Sequence, residues 1–169
     1  MIRQFILFTL CSLFTHAALA DWEVVTHTDV DTGEQTRVAY TENRDGYSLE
    51  IYRDGKGAIR SRFSMNKSTN RLAEKNCPTF QVDRRGMSNR SINDAPCISH
   101  RQWVEFVLGY IDDNQEVFST PLHNMMNGLA ITYRFILENG AYAETRFSLE
   151  GSKRALTEVL GNQLVVRTE

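Results

Sequence analysis

Between Trp22 and Leu149 the sequence changes sides every second residue in short runs, and nearly every run stops at a cluster of Gly, Asp or Asn. A period of two is the repeat of a β-strand, whose successive side chains point to opposite faces. Tyr47, Leu49 and Ile51 alternate with Ser48, Glu50 and Tyr52; after the Asp54-Gly55-Lys56-Gly57 turn, Ile59, Ser61, Phe63 and Met65 oppose Arg60, Arg62 and Ser64. Runs this short and this often interrupted can pair only as antiparallel neighbours joined by tight turns. Trp22–Thr26 and Arg37–Glu42 precede them, and Cys77–Val82 follows. Trp103–Ile111 is almost continuously apolar, broken only by Glu105 and Gly109, the pattern of a strand covered on both faces.

The segment Leu129–Leu149 can be read in register. A two-residue Asn139-Gly140 loop would set Phe135 opposite Glu144, whereas a three-residue loop with Gly140 in the left-handed region sets Phe135 opposite Ala143 and Ile131 opposite Phe147. Only the second keeps the apolar side chains on one face, so it is the register expected. Pro121–Asn127 has room for one helical turn with Pro at its start. Near the end, Ala155, Leu156, Val159 and Leu160 share one helical face, with Ser152 the expected N-cap and Gly161 the stop. Lys153 and Arg154 then stand at the positive end of the helix dipole and Glu158 near its negative end, a placement that packing has to override. Leu164–Val166 adds a last short strand. Together these readings predict an all-β fold, an antiparallel β-sandwich with one short helix near the C-terminus.

Residues 1–20 are expected to be a signal peptide: a charge at Arg3, an apolar run from Phe5 to Phe14, and Ala18-Leu19-Ala20 for the peptidase. Cys11 follows Leu10 rather than Gly or Ala, which argues against a lipid anchor there. The remaining segment, 21–169, is about the size of one domain, so a single β-sandwich is expected, in the periplasm or secreted, with no transmembrane span. Cys77 and Cys97 are the two cysteines left. In an oxidising compartment an even pair reads as a disulfide, worth about 3 kcal/mol for a loop of this size.

Charge is unevenly spread. From Arg53 to Arg101 there are eleven basic and four acidic residues, an excess of seven, while the rest of the exported chain is acidic. Two readings follow: either the basic strands are neutralised by acidic neighbours across the sheet, or they form a face for anions. The second singles out Arg84, Arg85 and Arg90 on the loop closed by the disulfide, with Lys67, Arg71 and Lys75, because guanidinium groups grip phosphate or carboxylate at two points. The partner expected on that reading is an anionic envelope or host-surface component, or a protein, and not a nucleic acid.

Catalytic and metal signatures are missing from the sequence. His27, His100 and His123 have no zinc-ligand spacing and no nucleophile motif beside them. His123-Asn124-Met125-Met126 has soft ligands of the kind copper takes, but paired methionines commonly fill gaps in a core. Asp112-Asp113 sits in a turn, where Asp is favoured for backbone reasons. The expectation is therefore a non-enzymatic binding protein without cofactor, catalytic residues or metal; an envelope enzyme or metal-handling protein with a dispersed site, and an inhibitor of a secreted hydrolase, are the alternatives.

Trp22 directly after the leader, the all-β pattern, Asn127-Gly128 ahead of a strand, and the closing Phe147-Ser148-Leu149-Glu150-Gly151-Ser152-Lys153-Arg154-Ala155-Leu156 resemble the bacterial invasion-associated locus B family. The resemblance implies a small exported β-sandwich protein, linked in some pathogens to host-cell entry and without an established catalytic activity.

Overall fold

The computed structural model describes residues 22–30, 32–65, 70–74, 76–85 and 97–168. In chain order its elements are β1 (Glu23–Thr28), β2 (Gln35–Glu42), β3 (Ser48–Arg53), β4 (Ala58–Ser64), β5 (Thr79–Val82), β6 (Cys97–Ser99), β7 (Trp103–Tyr110), β8 (Glu116–Phe118), α1 (Thr120–Asn127), β9 (Ala130–Ile136), β10 (Tyr142–Ser148), α2 (Ser152–Leu160) and β11 (Val165–Arg167). The alternating runs become a six-stranded antiparallel sheet ordered β1-β2-β3-β4-β7-β6. Ile59, Ser61 and Phe63 turn inward; Arg60 and Arg62 turn outward. A three-stranded sheet, β10-β9-β5, and a parallel pair, β11-β8, complete the strands.

The two larger sheets meet through aromatic rings. Phe63 stacks on Tyr133 at 4.8 Å and meets Phe135 and Phe147, while Phe80 of β5 contacts Phe106 of β7 edge-on. Offset and edge-on pairs of this kind add about 0.5–1.5 kcal/mol each beyond the burial of their area. Beside the smaller sheet, α2 presses Ala155, Leu156 and Leu160 against β1, β2 and β3, so sheet and helix share the second layer. The β-sandwich expected from the sequence is the fold observed, with one addition: α1 is a helix of eight residues rather than a single turn. Ser119 accounts for it, accepting a hydrogen bond from the Leu122 amide while donating to the Leu108 carbonyl at 2.6 Å.

The Cys77–Cys97 disulfide is formed, with Cα atoms 6.3 Å apart. It ties the segment entering β5 to β6, and so one sheet to the other. The β9–β10 hairpin has the three-residue loop: Phe135 faces Ala143, Ile131 faces Phe147, and Gly140 has φ +82°. Leu72, the one large apolar residue between Met65 and Cys77, is buried and bridges to Leu137.

One expectation is corrected. Ser152 does not cap α2; the cap position is Gly151, in the left-handed region at φ 82°, and no side chain closes the first turn. Ser152 is buried, and its hydroxyl donates instead to the Met125 carbonyl of α1 at 2.8 Å. A buried hydroxyl must find a partner, and here the neighbouring helix supplies it. The reversed charges of α2 are offset from outside, since Glu158 pairs with Arg37 of β2 at 2.6 Å. Among the described residues no helix is long and apolar enough to cross a membrane.

Candidate functional site

The excess positive charge of the central segment divides in two. Arg60 and Arg62 lie on the outer face of the large sheet, where Glu105 of β7 accepts hydrogen bonds from Tyr52 at 2.5 Å, Arg60 at 2.8 Å and Arg62 at 2.9 Å. Asp54 takes the remaining edge of Arg60 at 2.7 Å. Burial alone would raise the Glu105 carboxyl above its ordinary range, but the bonds from Tyr52, Arg62 and Arg60 outweigh it and hold the group below. Burial and the bond to Glu105 push the Tyr52 phenol up. For these two arginines neutralisation across the sheet is what the fold provides.

Arg84 and Arg85 have a different setting. They follow Asp83, a non-glycine residue in the left-handed region at φ 53°, a conformation that costs an L-residue about 1–2 kcal/mol. The Asp83 side chain offsets that cost by accepting from the amides of Leu129 and Ala130 at 3.0 and 2.9 Å, while its own amide donates to the Ala130 carbonyl. Next in line, the Arg85 amide donates to the Val82 carbonyl, Gln81 donates to the Arg85 carbonyl at 2.6 Å, and the Arg85 guanidinium reaches Asn124 of α1. The backbone that presents both arginines is therefore held by β5 and by the start of β9, and α1 holds the Arg85 side chain.

Across from them stands Arg146. It lies on β10 directly opposite Thr132 of β9, and its carbonyl accepts from Asn43 of the β2–β3 turn at 3.1 Å, which also covers part of the open edge of β10. Asp83, Arg84, Arg85, Leu129, Ala130, Thr132 and Arg146 enclose an open cleft of about 670 Å³. Three arginines line it against one carboxylate, which is spent on backbone amides, and the guanidinium of Arg85 is anchored to Asn124. Among the described residues the side chains of Arg84 and Arg146 have no ion pair. One row further along, Arg134 is matched by Glu144 at 2.8 Å. Leu129, 80 % exposed, forms an apolar lip.

Arg71 is elsewhere. Its carbonyl accepts from the Glu138 amide at the far end of β9, whereas Asp83 sits at the near end. A seven-residue strand separates the two positions by roughly 20 Å. Arg71 borders a shallower hollow with Asn70, Leu137, Glu138 and Asn139. Arg90, Lys67 and Lys75 lie outside the described residues.

Arg146 is the residue that a linear reading misses. Its partnership with Arg84 and Arg85 follows only from the hairpin register, which places position 146 on the outward face beside Thr132. As chemistry, the cleft offers guanidinium donors to anionic oxygens and no imidazole or thiol among its walls. Among the described residues no group of three or more His, Cys, Asp or Glu side chains is placed to hold a metal ion.

No protein-family model matches the sequence, and no curated protein matches it significantly. The fold, by contrast, has a counterpart among solved structures. The crystal structure of invasion associated protein B from Bartonella henselae superposes with a TM-score of 0.52 at 10 % sequence identity, over 84 % of this chain and 93 % of that one. What this chain shares with that protein is its fold.

Proposed function

We propose that this chain is an exported protein that acts by binding, in the periplasm or outside the cell, and that the cleft between Arg84, Arg85 and Arg146 takes the anionic groups of an envelope or host-surface component. The observation that carries the reading is that three arginines from two separate parts of the chain line one cleft whose only carboxylate is already engaged. Pre-organised arginines bind phosphate, sulfate or carboxylate oxygens through paired, charge-assisted hydrogen bonds. The fold shared with an invasion associated protein of a bacterium supports a place at the cell boundary, as do the leader-like first twenty residues.

The test is association of the mature protein with phosphatidylglycerol-containing vesicles and, separately, with immobilised heparin, the first probing phosphate and the second sulfate. Binding to at least one is expected, weakening steeply with salt because exposed charges are screened over about 10 Å at 0.1 M. Replacing both Arg84 and Arg85 by Glu should abolish it and leave the melting temperature nearly unchanged, since both side chains are exposed. Failure of the wild type on both supports, or binding unchanged in the double variant, would overturn the reading.

A further inference from the structure

The outer face of the large sheet carries a second hollow with a different character. His27, Thr28 and Asp29 at the end of β1, Thr36 and Val38 of β2, Glu50 and Tyr52 of β3 and Arg62 of β4 enclose about 260 Å³. That is a little under the roughly 300–1,000 Å³ of pockets for drug-sized ligands, and it suits one six-membered sugar ring.

Within it, Glu50 is held only loosely. Its side chain is 14 % exposed, and its nearest polar neighbours are His27 Nε2 at 3.7 Å and an Arg62 Nη at 3.9 Å, both beyond hydrogen-bond reach. Among the described residues no closer partner reaches it. A largely buried carboxylate normally has its lone pairs filled. At 3.7 and 3.9 Å neither neighbour makes a direct hydrogen bond to it, so its lone pairs remain open to a hydroxyl donor entering the groove.

The groups around Glu50 are meanwhile fixed. Arg62 gives two of its nitrogens to Glu105 and lies between the rings of Tyr52, at 5.7 Å, and Trp103, at 5.0 Å, leaving the Nη nearest Glu50 as its spare donor. The Tyr52 hydroxyl is likewise committed to Glu105. Rigid donors and acceptors with spare capacity are what a ligand rich in hydroxyls requires, because each hydroxyl both donates and accepts. The lining has two carboxylates, Asp29 and Glu50, against one guanidinium, so an anion is disfavoured here, unlike in the arginine cleft.

We infer that this groove is a saccharide subsite for a neutral pyranose, with Glu50 accepting from one hydroxyl, Arg62 and His27 donating to its neighbours, and Tyr52 and Val38 forming the floor. It is independent of the anion cleft.

Saturation-transfer NMR on the mature protein with the methyl pyranosides of glucose, galactose, mannose and N-acetylglucosamine tests it. Transfer to at least one is expected, at millimolar affinity, and the affinity should fall about tenfold in Glu50→Gln, which keeps the shape and removes the charge. If Glu50→Gln should fail to fold, Thr36→Val, which removes a lining hydroxyl without changing volume, carries the same test with a severalfold loss. Replacing Arg84 and Arg85 by Glu should leave sugar binding as in the wild type. No transfer to any of the four glycosides, or affinity unchanged in the folded groove variant, would overturn the inference.

Discussion

Glu105 concentrates the energetics of the outer sheet face in one carboxylate. It is 5 % exposed, faces what would otherwise be solvent, and is covered by the arginines it binds. Removing one member of such a group leaves the others uncompensated, which is costlier than never having built it. Glu105→Ala should therefore destabilise the protein by about 3 kcal/mol in denaturant titrations, the lower end for breaking a buried pair because both arginines keep some contact with solvent. Glu105→Gln, which still accepts one bond, should cost less. The pH dependence has a definite sign. Because the folded protein holds the carboxyls of Glu105 and Asp54 below their ordinary values, their stabilisation is fully present above the unfolded carboxyl range near pH 4 and is lost as pH falls through the lower folded values. Glu105→Gln should flatten that acid limb; an acid limb of unchanged steepness would show that the network does not store the stability assigned to it. In the sequence, Glu105 stands out only as a charge interrupting an apolar run, since its three partners come from strands 43 to 53 residues away.

Elements with a repeat of their own are legible in the chain of residues alone. The β9–β10 register follows from parity and one turn, because slipping by a residue would turn Phe135 and Phe147 outward. The turn depends on Gly140, whose φ of +82° suits no β-branched residue although a Cβ there would meet nothing within 4 Å. Gly140→Val should thus cost about 1–2 kcal/mol through backbone conformation alone, and Gly140→Asn distinctly less, because Asn visits that region more readily. Equal losses for the two in thermal melts would mean that packing at the loop governs the cost. Elements of three residues are too short to carry a period: β6 and β8 show none, and although Leu164–Val166 reads as a strand, the parallel pairing of β11 with β8, across α1, β9, β10 and α2, is not visible in its own residues. The cap of α2 is hidden for a related reason: a Ser followed by an amphipathic face looks like an N-cap, and only the approach of α1 reveals that the Met125 carbonyl takes the hydroxyl.

At the scale of the molecule, the charge asymmetry of the sequence resolves into two settings, one neutralised and one not. Basic residues on the long central strands meet carboxylates across the sheet and are absorbed, as cross-strand pairing predicts. Those placed after β5 escape, because the chain turns at Asp83 and delivers them beside β10 instead. Half of the cleft is therefore readable as an Arg84-Arg85 pair; the other half, Arg146, and the removal of Arg71 to the far end of β9 depend on the topology. The contribution of Arg146 is accordingly the sharpest probe of a site at this cleft. Affinity for the anionic probe that the wild type binds, phosphatidylglycerol vesicles or a heparin oligosaccharide, measured at fixed salt, should fall at least about tenfold in Arg146→Glu, as expected for the loss of charge-assisted bonds. It should fall little in Arg71→Glu, which changes the net charge equally but lies roughly 20 Å away, beyond the screening length. Equal losses in the two variants, or none in Arg146→Glu, would contradict a binding site built at this cleft.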